Sequence, residues 1–163
     1  MVLNVKNNLV TLKGGSKVTD ENGKEILKVS GVLGSPTRKK IIADMSGKKV
    51  FSVRNKFWRF FRYSALIYDK DGKKLLKVTK KYFSFRNYIV EDYTSDSVWT
   101  MEGPIYPRDI TVKKDDVTIG VIHDNFDFIR DTFSVKAEEN YEYIMVALCI
   151  AVDNIYDSQR RNK

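Results

Sequence analysis

Residues 141–163 read YEYIMVALCIAVDNIYDSQRRNK, and Ile144–Val152 within them are nine consecutive apolar residues. Nine residues exceed two helical turns, so the apolar surface wraps the whole helix instead of forming one stripe. Such a helix is buried in protein or in lipid, and nine residues fall well short of the ~18 that a bilayer span needs. Asn140 is a fair N-cap, and Glu138, Glu139 and Glu142 lie near the positive end of the helix dipole. Arg160, Arg161 and Lys163 are placed beyond the C-terminus, where cations are favoured. From Asn140 to Tyr156 the helix would be ~25 Å long and ~10 Å across.

The preceding residues supply an enclosure. Asp20–Val29 (DENGKEILKV), Asp44–Val53 (DMSGKKVFSV) and Asp69–Val78 (DKDGKKLLKV) share one pattern: Asp, Gly three residues on, Lys, an apolar pair, and Val nine residues after the Asp. The unit continues more faintly at Asp92–Met101 and Lys113–Ile122, where Ser95 and Asp116 stand in place of Gly. Asp at a turn start bonds its own backbone, Gly supplies positive φ, and the flanking alternation suits half-buried strands, so each unit is a β-hairpin. Five hairpins contribute ten strands, and Leu3–Leu12 and Thr132–Ala137 add one each. So many strands avoid raw edges by closing. A barrel of about 12 strands is wider than the eight-stranded kind that side chains alone fill, and has room for a helix. The expected fold is therefore mainly β: a closed antiparallel barrel of repeated hairpins, strands over about 2–137, around a buried C-terminal helix over about 140–157, all in one domain spanning 1–163.

After each second strand comes an aromatic or proline-bearing corner containing Arg: 35–38, 57–62, 82–86, 105–108 and 126–130. The richest reads RNKFWRFFRYS at 54–64, with five aromatic rings and four cations. A feature that recurs five times is architectural before it is a unique site, so its rings are expected to plug the open ends of the sheet. Its cations are freer, since Lys and Arg tips seek water or an anion.

The net charge of +8 conceals an asymmetry: residues 1–90 hold 21 Lys/Arg against 6 Asp/Glu, and residues 91–163 hold 8 against 15. This is either lysine on outward strand faces or a basic surface for an anionic partner. Met1–Leu12 lacks a signal-peptide pattern, and a single cysteine, Cys149, fits a reducing compartment, so a cytosolic location is expected. Parts for chemistry are few. The only histidine, His123, reads as a polar turn residue, and Cys149 as a small hydrophobe of the helix whose ionisation is suppressed. One His and one Cys make no zinc set, and the position of a calcium loop that needs Glu, counted from Asp69, is Lys80. Asp153, which closes the apolar run, is expected to bond rim backbone or a basic neighbour. No catalytic residue, cofactor or metal is expected.

The D-x-x-G-K turns, the KYFSF corner at Lys81–Phe85 and the terminal ALCIAVDNI at Ala147–Ile155 resemble the LURP-one-related family. The resemblance covers nearly the whole chain. That family belongs to the tubby C-terminal-like superfamily, with the phospholipid scramblases, and implies a closed antiparallel barrel around a hydrophobic C-terminal helix. Most of its members have no known biochemical role. Tubby domains bind phosphoinositide headgroups through a basic pocket, which matches no particular residues of this chain, so lipid binding is here an implication of kinship.

Three binding roles follow. In the first, a cytosolic module, peripheral at the inner membrane surface, engages anionic phospholipid or phosphoinositide headgroups. Its candidates are Arg54, Lys56, Arg59 and Arg62 with Trp58 as interfacial anchor, joined by Lys39, Lys40, Lys80 and Lys81 at equivalent corners of one rim. In the second, the rings stack on single-stranded nucleic acid beside a cationic track, although no RNA-recognition signature occurs. In the third, the barrel is a protein-interaction scaffold with no small ligand. Convergence of the cations on one patch would favour a ligand, and scatter the scaffold.

Overall fold

The computed structural model of the chain describes residues 1–7, 15–56, 63–84, 86–104, 108–126 and 131–161. Twelve strands precede one helix. They are β1 (Val2–Asn7), β2 (Gly15–Thr19), β3 (Glu25–Gly31), β4 (Lys40–Asp44), β5 (Lys49–Asn55) and β6 (Ser64–Tyr68). β7 (Lys74–Lys80), β8 (Tyr88–Asp92), β9 (Trp99–Glu102), β10 (Asp109–Lys114), β11 (Val117–Phe126) and β12 (Asp131–Ala137) complete the sheet, followed by α1 (Glu142–Arg161). Each strand pairs antiparallel with its sequence neighbour, and β1 pairs with β12 in the register Leu3↔Val135, so the sheet is a closed barrel.

β3 and β8 alternate clearly between wall and lumen, as the period-2 side-chain pattern of a strand requires. In β3, Leu27 and Val29 are buried while Lys28 and Ser30 are exposed; in β8, Tyr88 and Val90 are buried while Ile89 and Glu91 are exposed. The inward residues meet α1, which is buried continuously from Met145 to Ile155 and packs most closely on β5, β6 and β12. Gly120 of β11 permits this approach. A Cβ there would lie 2.6 Å from Met145 Cε and 2.5 Å from the Lys136 backbone oxygen.

The hairpin turns are built as their sequences dictate. Asp20 Oδ1 accepts from the Asn22 and Lys24 N–H groups, Asp44 Oδ1 from Ser46 and Lys48, and Asp69 Oδ1 from Asp71 and Lys73, all at 2.8–2.9 Å. The glycine of each turn has φ between 78° and 85°. The Asp115-Asp116 turn has both residues at positive φ, 50° and 64°, the geometry of a tight two-residue hairpin. Asp92 replaces glycine chemistry with side-chain bonds: it accepts from Thr94, Ser95 and the Trp99 indole. Desolvation acts on it in the opposite direction, but these bonds hold its carboxyl at about 2.

The helix differs from expectation at both ends. Asn140 is not its N-cap; it has φ 71° in a turn closed by the Tyr141 N–H on Glu138 O at 3.2 Å, and α1 starts at Glu142. The chain must reverse from the rim into the lumen there, and Asn tolerates the left-handed conformation. At the far end α1 continues to Arg161, so Arg160 and Arg161 form its last turn instead of lying beyond it.

Two outcomes test this arrangement. Gly120→Ala should lower unfolding stability by about 1–3 kcal/mol in denaturant titrations, and trimming Met145 should not restore it, because the Lys136 backbone still clashes. Asp92 has a folded pKa below its unfolded one, so its contribution is present above pH ~4 and lost as pH falls towards 2. Thermal unfolding of Asp92→Asn should therefore show a shallower loss of stability across that window than the parent chain.

Candidate functional site

Because neighbouring strands pair in sequence order, the connections alternate between the two ends of the barrel. The Asp-initiated turns share one end, and the Arg-containing corners share the other, which is also where the C-terminal half of α1 arrives. The two ends differ in charge. Among the described residues of the corners (32–39, 56, 63, 81–84, 86–87, 103–104 and 108) there are six cations, Arg38, Lys39, Lys56, Lys81, Arg86 and Arg108, and no Asp or Glu. The opposite turns (20–24, 45–48, 69–73, 93–98, 115–116 and 138–141) carry nine acids against four lysines.

At the corner end the helix is tied to the barrel by polar groups. Asp153, only 3% exposed, accepts from Lys40 Nζ at 2.6 Å, so Asp153 bonds a basic neighbour as its place at the end of the apolar run implied. Arg38 Nη1 reaches Asp157 Oδ2 at 3.1 Å, and Asn154 Nδ2 donates to the Arg38 carbonyl at 3.2 Å. Asn55 Nδ2 donates to Ser158 Oγ at 2.6 Å and to the Asn154 carbonyl at 3.2 Å. The set joins α1 to β4, β5 and the corner between β3 and β4. Among the described residues, two buried amide oxygens in it, Asn55 Oδ1 and Asn154 Oδ1, have no hydrogen-bond partner.

A second cluster lies across the same mouth. Arg86 and Arg108 each approach Asp124 Oδ2 to 3.9 Å, so two guanidinium groups face one carboxylate. Burial raises the Asp124 pKa, against the pull of Arg86, Arg108 and His123. Lys80 Nζ lies 5.2 Å from the Tyr88 ring centroid. Its pKa is lowered by desolvation and then by repulsion from Arg86. Burial likewise raises the Tyr88 phenol. His123 Nδ1 contacts Asp109.

The candidates from sequence therefore separate. Lys39, Lys56, Lys80 and Lys81 are at the corner end, with Lys81 reaching Glu102 at 3.4 Å. Lys40 is at the same mouth but turned inward and committed to Asp153. Arg54 lies on the outer wall, where it donates to Tyr68 Oη at 3.0 and 2.7 Å and stacks 4.8 Å from that ring's centroid. Trp58, Arg59 and Arg62 lie outside the described residues. Sequence reading passed over Arg38, Arg86 and Arg108 as ligand candidates. The signal that marks them is the Arg repeated in each corner.

The family model for LURP-one-related proteins matches residues 1–153. The chain belongs to the LURP-one-related family. An X-ray structure of an Arabidopsis thaliana protein superposes with a TM-score of 0.63 at 19% identity, covering 97% of this chain and 91% of that one. At that identity the likeness shows the fold. No curated protein matches the chain in sequence.

Among the described residues no group of His, Cys, Asp and Glu is arranged to hold a metal ion, and no helix is long and apolar enough to cross a membrane. Cys149 is enclosed in the lumen, and burial pushes its thiol well above the usual range.

The buried ion pair gives this LURP-one-related barrel a sharp test. Lys40→Ala takes the ammonium away from the enclosed Asp153 carboxylate, and should cost about 3–5 kcal/mol in denaturant unfolding. Adding Asp153→Asn should recover part of that loss, giving a favourable coupling in the double-mutant cycle.

Proposed function

We propose that this LURP-one-related protein is a non-enzymatic binding module that engages anionic phospholipid headgroups, phosphoinositides among them, through the corner rim. One observation carries the reading: the described corner residues hold six cations and no acid, while the opposite rim is acidic. A charge distribution polarised along the barrel axis steers the positive end towards a negative surface and turns the acidic end away. Family membership and the barrel fold support a binding role, and the enclosed Cys149 offers no accessible nucleophile. In this reading the protein is cytosolic and peripheral at the inner membrane surface.

The test uses Lys39 and Lys56, which form no ion pair among the described residues, so that charge is removed without disturbing the helix ties. Each cation near an anionic surface contributes about 1 kcal/mol, so Lys39→Gln with Lys56→Gln should weaken co-sedimentation with anionic vesicles about thirtyfold at low salt. Lys24→Gln with Lys73→Gln, at the opposite rim, should leave it unchanged. Equal binding of the parent chain to neutral and anionic vesicles would overturn the proposal. Salt-dependent binding to single-stranded nucleic acid in its place would assign the rim to that ligand, and binding to neither would favour a protein scaffold.

A further inference from the structure

The corner rim also carries apolar side chains that are exposed. Phe83 is fully exposed, and its neighbour Tyr82 is 54% exposed; their rings stand 6.3 Å apart, tilted by 43°. Phe83 has φ 54°, a left-handed conformation that is a genuine outlier for a bulky residue. The chain thus holds a phenyl ring out in water on unfavourable backbone and buries none of it. Two connections away on the same rim, Leu33 is 69% exposed and Val32 40% exposed, next to Gly34 at φ 73°.

Both tips are flanked by cations. Arg38 and Lys39 share the connection of Leu33, and Lys81 and Arg86 share that of Phe83. Apolar tips beside cations, with no acid among the described corner residues, match the boundary of an anionic bilayer: rings and aliphatic groups below the headgroups, ammonium and guanidinium groups among the phosphates. Val98 and Val117 are similarly exposed at the other end, but they stand among Asp96, Asp115 and Asp116, which an anionic surface repels. Charge therefore selects which end inserts.

We infer that Leu33 and Phe83 are membrane-insertion tips, which enter the headgroup–acyl boundary of an anionic bilayer when the corner rim docks. The inference rests on the headgroup reading above and adds to it that the partner is an intact lipid surface instead of a soluble headgroup.

A glycine substitution separates insertion from a structural role. Phe83→Gly removes the ring and relaxes the left-handed backbone, so its thermal stability should equal or exceed that of the parent chain. Its affinity for phosphatidylserine-containing vesicles should nevertheless fall about tenfold. Leu33→Ser should add to that loss, while binding of soluble inositol phosphate stays unchanged. In the direct measurement, Phe83→Trp should be quenched by bilayer-embedded brominated lipid in anionic vesicles, and Val117→Trp should not. Vesicle binding that persists at parental strength in Phe83→Gly, or an unquenched Phe83→Trp on bound protein, overturns insertion and leaves the headgroup reading standing. Failure of the parent chain to bind anionic vesicles at all overturns both.

Discussion

Residues Met145–Ile155 of α1 are buried on every side, so the helix requires a wall with no gap. The barrel requires the helix equally. Leu27, Ile42, Val53, Ile67 and Val135 point into a lumen that twelve strands make too wide for side chains alone to fill. Wall and plug thus form one core, and Gly120, cleared of any side chain where Met145 and the Lys136 backbone crowd it, shows how closely they fit. The sheet closes between its first and last strands, so the final pairing and the entry of the helix draw on residues from both ends of the chain.

The same enclosure explains the polar groups at the corner end. A helix of uniform apolar surface has little to set its depth or rotation in the lumen. Asp153, Asn154, Asp157 and Ser158 lie where it leaves the apolar zone, and Lys40, Arg38 and Asn55 meet them. Such buried pairs add little net stability over apolar packing, yet one without its partner is expensive, so they discriminate against other helix positions. The two unpartnered amide oxygens make this junction less fully satisfied than the apolar middle of the helix.

Fixing the helix by residues that face inward leaves Lys39 and Lys56 outside those ties. Among the described residues Lys39 and Lys56 form no ion pair and Phe83 is fully exposed, and the described corner residues have a charge opposite to that of the turn rim. Helix ties and outward-facing charge thereby occupy different faces of the same connections. The conversion of a repeated strand–corner unit into one coherent surface depends on the up-and-down order, which gathers every second connection at one end.

The fold was legible in the chain because its determinants are local and periodic. Asp and Gly at fixed separation make turns at 20–24, 45–48 and 69–73 through bonds spanning two to four residues, and nine apolar residues in a row exclude a surface helix. Membership of a family could be read for the same reason, since the repeat and the helix recur together. The site was legible only in part. That Lys39, Lys56, Lys80 and Lys81 share a rim follows from strand count, but that Lys40 turns inward to Asp153 across 113 residues, or that Arg54 lies along the wall on Tyr68, follows from no local pattern. Sequence by itself determined which segments are strand, turn and enclosed helix, because short-range hydrogen bonding and hydrophobic periodicity decide those. Tertiary structure alone decided which cations are consumed by the helix and which face outward, because a side chain's partner depends on what closure brings beside it.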